Sequence, residues 1–154
     1  MIYPLQRAPV TKALLAVVKT AGFPSEVALI PKDGGWRNGA PAAPESVFTP
    51  YTVIIPRTAG FSTGPISEPQ GDWHLPYDIN VYAIRGDETE LLADAVRVAA
   101  AGMVGSSITV QGPSYKIQKI ALTAIGQITR VDQSDPPFYI QTDTLEVWVG
   151  KELS

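Results

Sequence analysis

The stretch WHLPYDINVYAIRGDETELLADAVRVAAAG, Trp73 to Gly102, contains the change of period that decides the fold. In its first half Tyr77, Ile79, Val81 and Ala83 alternate with Asp78, Asn80, Tyr82 and Ile84. Successive side chains of a strand point to opposite faces, so this is a strand with one strongly apolar face and a moderately apolar second one. Pro76 has no N–H to give a ladder, which places the strand start there or marks an edge strand. After Gly86 the period lengthens. Leu91, Leu92, Ala95, Val96 and Ala99 form an apolar stripe expected to face the core, with Asp94 and Arg97 outside. Asp87 is placed to cap this helix, Glu90 has the spacing of a capping box, and Glu88 suits the positive end of the dipole. The helix should end near Ala101, with Gly102 at C′.

Outward toward the N-terminus, Tyr51–Ile55 reads as a strand bracketed by Pro50 and Pro56. Between the two strands, Arg57 to Asp72 carries Gly60, Gly64, Pro65, Pro69 and Gly71. A connection of about 15 residues without regular structure is usually functional or mobile. Gly34 to Gly39 and the Ala/Pro stretch after it read as loop, and Val27 to Ile30 as a short β-like run. A first helix starts near Pro9, carries Val10, Leu14, Val17, Val18 and Ala21 on one stripe, and stops at Gly22 and Pro24. Toward the C-terminus, Ile108 to Val110 is a short strand. Tyr115 to Val131 is rich in β-branched residues, and Gly126 within it marks a bulge or a break between two strands. Gln133 to Pro137 is a turn, and Phe138 to Val149 a closing strand. This order predicts an α+β fold in a single domain, residues 1–154. A mostly antiparallel, mixed β-sheet has two main α-helices packed against it, with long loops.

Composition narrows the function classes. The chain has 154 residues, a formal charge of -3, no cysteine and one histidine, His74. That excludes disulfides, thiolate metal sites, Cys nucleophiles and a two-His metal site within one chain. The acidic balance argues against tight, charge-driven nucleic-acid binding. The apolar run Ala13–Val18 is far shorter than the ~18 residues of a membrane span and lacks a basic region ahead of it, so a soluble, non-secreted chain is expected. Nine of the 14 prolines lie from Pro24 to Pro76 and none from Tyr77 to Gly112, which sets a loop-rich first half against a regular middle.

Chemistry-bearing patterns are sparse. A hydrolytic triad would have to use His74 with Asp72 or Asp78, and no G-x-S-x-G elbow presents a serine. Asp72, His74 and Asp78 share no obvious strand face for a metal. Asp132 and Asp135 beside Pro136 lack the spacing of a calcium loop and read as a solvated turn. Gly34-Gly35 is not followed by the Lys-Ser/Thr of a phosphate loop. Lys116 and Lys119 with Tyr115 make too small a basic patch to read as more than strand surface. No catalytic, metal or cofactor-binding residue is assigned.

Pro50 to Met103, PYTVIIPRTAGFSTGPISEPQGDWHLPYDINVYAIRGDETELLADAVRVAAAGM, resembles the tail terminator (tail completion) proteins of long-tailed, siphovirus-type bacteriophages, most closely those of actinobacterial phages. The order of parts carries the resemblance. An initial helix precedes a PYTV strand, a loop with a GP-S-P element, a W-x-x-PY-x-I-x-V strand and a LADAVR helix. PPFYIQTDTLEVWV, Pro136 to Val149, is similar to the family's PP-x-F/Y and closing strand. With the first helix this covers most of the chain. Val27 to Glu45 is longer than the family pattern, and the exit from the second helix at Gly102–Ser107 is unusual.

The resemblance implies a structural virion protein of the tail neck, assembled in the host cytoplasm, that is not an enzyme. Its partners would be five further copies in a homohexameric ring, the tail tube protein and a head-completion or connector protein. DNA would pass through the lumen without specific binding, and no membrane is involved. Six copies at -3 each carry -18, which suits DNA that must slide. A ring needs two different patches on each subunit, and loops are the usual places for them. The expected contact regions are Arg57, Phe61, Glu68 and Asp72 in the first loop, and Arg130, Asp132, Asp135 and Phe138 around the second. Two other readings remain: another head–tail connector (head-closure or joining) protein, and a small-ligand enzyme or binding domain of unrelated α+β type.

Overall fold

The computed structural model describes residues 7–37, 41, 43–57, 73–109, 114–133 and 136–151. In chain order the elements are α1 (Arg7–Lys19), β1 (Ser25–Val27), β2 (Gly35–Arg37), β3 (Val47–Thr49), β4 (Tyr51–Pro56), β5 (Trp73–Ala83), α2 (Gly86–Ala101), β6 (Ser107–Thr109), β7 (Ser114–Ala124), β8 (Thr129–Val131) and β9 (Phe138–Lys151). One sheet runs β1-β4-β5-β9-β7-β6, with β8 also on β9, and β2 and β3 form a separate ribbon. β1 is parallel to β4, and the other pairings are antiparallel. The expected α+β architecture is the one the chain adopts.

β5 and β9 are the spine, paired from Trp73↔Val149 to Ala83↔Tyr139. On one face Leu75, Tyr77, Ile79 and Val81 lie beside Leu145, Val147 and Val149, all buried. Both helices cover that face. α1 contributes Val10, Leu14 and Val18, and α2 contributes Leu92, Ala93, Val96 and Ala100. Each valine, leucine or isoleucine among them stabilises by roughly 1.5–3 kcal/mol when fully buried, and each alanine by less. α1 follows the expected stripe, and Gly22 takes φ +93° just beyond its end.

α2 buries Leu92 and Val96 of the expected stripe, half-buries Ala95 and Ala99, and leaves Leu91 outside. Its buried residues are Thr89, Leu92, Ala93, Val96 and Ala100, whereas Leu91 is 68% exposed and Val98 is 75% exposed. The helix is apolar on two sides, so period alone could not choose between them. The side with Ala93 and Ala100 lets the backbone approach the sheet closely. The capping expectation is corrected as well. Arg85 occupies the N-cap position and its side chain makes no capping bond. Asp87 lies inside the first turn, accepts from the Glu88 N–H at 2.9 Å and pairs with Arg85 at 2.7 Å. Gly102 is right-handed (φ -66°), so no left-handed C′ residue ends this helix.

Pro76 marks neither a strand start nor an edge, because β5 begins three residues earlier and has β4 and β9 on its two sides. The Pro76 carbonyl accepts from the Arg57 N–H at 3.0 Å, so its backbone polar edge faces β4. The missing donor is thus lost where the β4 ladder ends, and the β9 side keeps its bonds. Arg7 fills the vacancy. Its guanidinium donates to the Arg57 and Pro76 carbonyls and lies 4.6 Å over the Tyr77 ring. Thr11 Oγ1 meets Tyr77 Oη at 2.8 Å. Arg7→Ala is expected to cost about 1–2 kcal/mol, read as a lower urea midpoint with unchanged slope.

β7 and β8 act as one long strand along β9 with three interruptions. Register shifts fall between Ile117 and Lys119 and between Leu122 and Ala124. A third separates Ala124↔Thr144 from Thr129↔Ile140. Each adds a residue opposite β9, which increases local twist and curls the sheet. The break at Gly126 is where the sequence places it.

Two smaller corrections concern the N-terminal half. The β-like run sits earlier than Val27–Ile30, as β1, and Leu29 and Ile30 are exposed. The glycine-rich stretch read as loop contains β2, which pairs with β3 through Gly35↔Thr49 to Arg37↔Val47.

Candidate functional site

Residue parity along β5 and β9 puts a second set of side chains on the sheet face away from the helices. Cross-strand pairs line it: His74 stacks on Trp148 at 3.9 Å, Thr144 Oγ1 donates to Asp78 at 2.8 Å, and Thr142 Oγ1 donates to Asn80 at 2.6 Å. Lys119 Nζ stands 4.8 Å over Trp148, and His74 Nδ1 is 3.4 Å from Glu146 Oε1. His74 is therefore a sheet residue held by a ring and a carboxylate. Among the described residues no group of three or more His, Cys, Asp or Glu side chains is placed to hold a metal ion.

The far end of this face is aromatic. Tyr51 and Tyr82 are cross-strand partners with rings stacked 4.6 Å apart. Phe48 lies 6.1 Å from Tyr51, Trp36 meets Phe48 edge-on at 5.5 Å, and Phe138 lies 6.1 Å from Tyr82. The β2–β3 ribbon reaches this position because Gly34 packs flat on Tyr51, where an added Cβ would come within 2.7 Å of the Tyr51 Cβ. Beside the rings an open cavity of about 310 Å³ is lined by Ile30, Trp36, Pro41, Phe48, Pro136 and Phe138, among others. A second, shallower groove of about 660 Å³ lies between α1 and β6, along Ala8, Lys12, Ala13, Ala16 and Ile108.

Burial raises the Tyr51 hydroxyl from 10.0 to about 12, and the neighbouring Tyr82 phenol adds to it. Burial raises Tyr82 too, partly offset by its hydrogen bond with Asn80. Unfolding frees both phenols to ionise at their ordinary pKa, so their contribution is full below pH 10 and falls as pH rises toward about 12. The melting temperature is expected to drop steeply across that window, and Tyr51→Phe to flatten the drop. Thermal scans at stepped pH check this.

The expected contact residues divide between two ends of the sheet. Arg57 follows β4, donates its N–H to Pro76, and its guanidinium lies 3.5 Å from Asp78. Arg130 in β8 pairs with Asp132 at 2.8 Å, and Phe138 opens β9 opposite Val131. Pro56 is level with Tyr77, whereas Phe138 packs on Tyr82. Five residues of strand, about 17 Å, separate the two groups, so they do not form one patch. Phe61, Glu68, Asp72 and Asp135 lie outside the described residues. The sequence does not reveal the aromatic cluster because its rings come from five separate strands. Tyr51, Tyr82 and Phe138 stand in strands the sequence shows, whereas Trp36 stands in a stretch that reads as loop and Phe48 in one with no pattern of its own.

No protein-family model matches the chain. No curated protein matches it. Fifteen chains of solved structures match. One of them, a hypothetical protein, is 15% identical with a TM-score of 0.50, over 96% of this chain and 94% of that one. That likeness concerns the fold alone. Among the described residues no helix is long and apolar enough to cross a membrane.

Proposed function

We propose that this chain is a structural protein of a long-tailed bacteriophage tail: a terminator whose six copies form a ring on the last turn of the tail tube. The ring stops tube growth and offers the head-completion protein a docking surface, and DNA passes through its lumen. The work is done by complementary surfaces, with no catalysed step. One observation supports this reading most. The segments that carry the sequence resemblance are β4, β5, α2 and β9, and they are neighbours in space, with β5 between β4 and β9 and α2 packed over β5 and β9.

Addition of the purified chain to polymerising tail tube protein tests it. Tubes that stop growing and carry a terminal ring are the expected result. Six subunits of 16.5 kDa make a ring of 99 kDa, measurable by sedimentation on tube ends released by dilution. Tubes that grow unchanged overturn the reading, as does density on the portal side of the joint in a particle map.

A further inference from the structure

The two edges of the main sheet end differently. At β1 the ladder with β4 is three residues long. The Pro24 carbonyl and the Ala28 N–H both bond β4, so the alternation of the strand turns Val27 outward. The Val27 N–H is taken by the Glu26 carboxylate at 3.0 Å, and Ala28 leaves the strand with φ +60°. A short strand that carries a charge at its end is a guarded edge.

β7 is guarded only at its start. β6 pairs with it from Ser114 to Lys116. The Ile117 N–H then donates to the Ser106 carbonyl at 2.9 Å, and the Ile117 carbonyl accepts from the Gly105 N–H at 2.8 Å. Both groups therefore point away from β9, where Ile117 stands opposite Val149. Val147 and Leu145 share the orientation of Val149 along β9. Ile120 and Leu122 stand opposite them, so their N–H and C=O groups also turn outward. Among the described residues no backbone group meets these four. The side chains along this edge are apolar, with Leu122 44% and Ile125 61% exposed. Ile120 to Ile128 contains neither a charge nor a proline, which is the composition of segments that pair with their own copies. Lysine is a usual edge guard, but the Lys119 ammonium is held 4.8 Å over the Trp148 ring on the sheet face.

We propose that two copies of this chain pair edge to edge through the open part of β7, antiparallel about a two-fold axis. The outward backbone groups of Ile120 and Leu122 in each copy bond the same strand of the other. Donors and acceptors at two-residue spacing accept an extended strand and nothing else so well. A second copy is the occupant because the uncharged segment is complementary to itself, and an antiparallel ladder keeps its bonds under a two-fold rotation. β1 is guarded and β6 is three residues long, so neither offers a comparable strand, and the pair uses the same edge twice. Such a contact is isologous and closes at two. A cyclic ring is built from heterologous contacts, so the inference goes beyond the terminator reading and does not depend on it.

Sedimentation of the purified chain across a concentration series tests this. Two subunits of 16.5 kDa make a pair of 33 kDa, the expected species. Leu122→Pro removes a donor that faces outward and leaves the β9 ladder its bonds. The pair then loses one bond per copy and is expected to weaken about tenfold or more. Leu122→Lys sets a charge on the edge without touching the backbone and is expected to do the same. Circular dichroism verifies that the variants fold, and if Leu122→Pro does not, Leu122→Lys decides alone. Hydrogen exchange followed by NMR gives a second readout. The Ile120 amide should exchange about tenfold more slowly in the wild-type pair than in the Leu122→Lys chain, with the Val27 amide unchanged. A wild type that stays monomeric overturns the proposal, and so does an assembly of any size that persists in the folded variants with Ile120 unprotected. A monomer that still caps tubes leaves the terminator reading standing. A pair that forms in a chain unable to cap tubes keeps this contact and overturns that reading.

Discussion

Gly126→Ala is expected to lower stability by about 3 kcal/mol, the upper end of what overpacking a filled site costs. A Cβ on Gly126 would come within 1.9 Å of the Thr142 carbonyl oxygen, 2.8 Å of its carbon and 3.0 Å of its nitrogen. These are backbone atoms of β9, held by β5 on the other side, so no side chain can swing away. Relief requires the Gly126 segment to lift. That breaks the bond from its N–H to Asp143 Oδ1 at 3.2 Å and opens the third interruption in the β7–β8 strand. For a chain of this size the melting temperature should fall by roughly 6–12 °C. Gly22→Ala separates this steric effect from the ordinary demands of glycine. Gly22 has φ +93° with nothing within 4 Å of an added Cβ, so its cost is only the left-handed backbone, about 1–2 kcal/mol. Equal losses at the two positions would show that the contact with Thr142 is relieved cheaply.

Gly126 also illustrates what the sequence could reveal. A lone glycine in a β-branched run reads as a break, and it is one. The reason, a flat approach to a strand sixteen residues further on, needs the register of β9. β5, α1 and β9 were legible because each is long enough for its period to repeat. β2 was not. Three residues including Gly35 have no period, and the strand exists because Trp36 finds Phe48 across the ribbon and Gly34 clears Tyr51. Pro76 misled for a related reason. A proline forbids a donor, but only the ladder shows on which side the donor is missing and that Arg7 replaces it.

The exposed apolar residues were less legible still. Leu91 and Val98 recur at helical spacing as the buried residues do, so hydrophobicity could not separate a core stripe from an outer ridge. The sheet makes that choice by accepting the side with the small residues Ala93 and Ala100. Arg130 and Asp132, both expected as contact residues, stand on the surface and pair with each other at 2.8 Å. Phe138 was chosen for its loop and does line the aromatic cavity, though its neighbours there are residues that no local pattern connected to it.

Asp143→Ala is expected to be the most damaging single change among the polar residues, at about 3–5 kcal/mol. Asp143 is 5% exposed on the helix face of β9 and collects three donors. Arg97 Nε reaches Oδ2 at 2.7 Å, and the Gly126 N–H and Gln141 Nε2 reach Oδ1 at 3.2 and 3.1 Å. One carboxylate thereby ties α2, the strand break and β9 together. Burial by itself would lower the Arg97 guanidinium, but the hydrogen bond and charge of Asp143, with Asp94 behind them, hold it above its ordinary value. Removing the carboxylate leaves a guanidinium only 24% exposed with Asp94 as its remaining anion, and leaves the Gly126 N–H without its acceptor. Asp143→Asn keeps an acceptor but not the charge, and should cost about half as much. A buried ion pair is often replaced by apolar groups at little cost, whereas a half-removed one is expensive. Arg97→Met combined with Asp143→Leu is therefore expected to be more stable than Asp143→Ala alone. Urea unfolding of the four chains gives the coupling between the two positions. Coupling near zero would mean that the Gly126 and Gln141 bonds, not the ion pair, carry the loss. The role of Asp143 would then be to fasten the strand break and not to seat the helix.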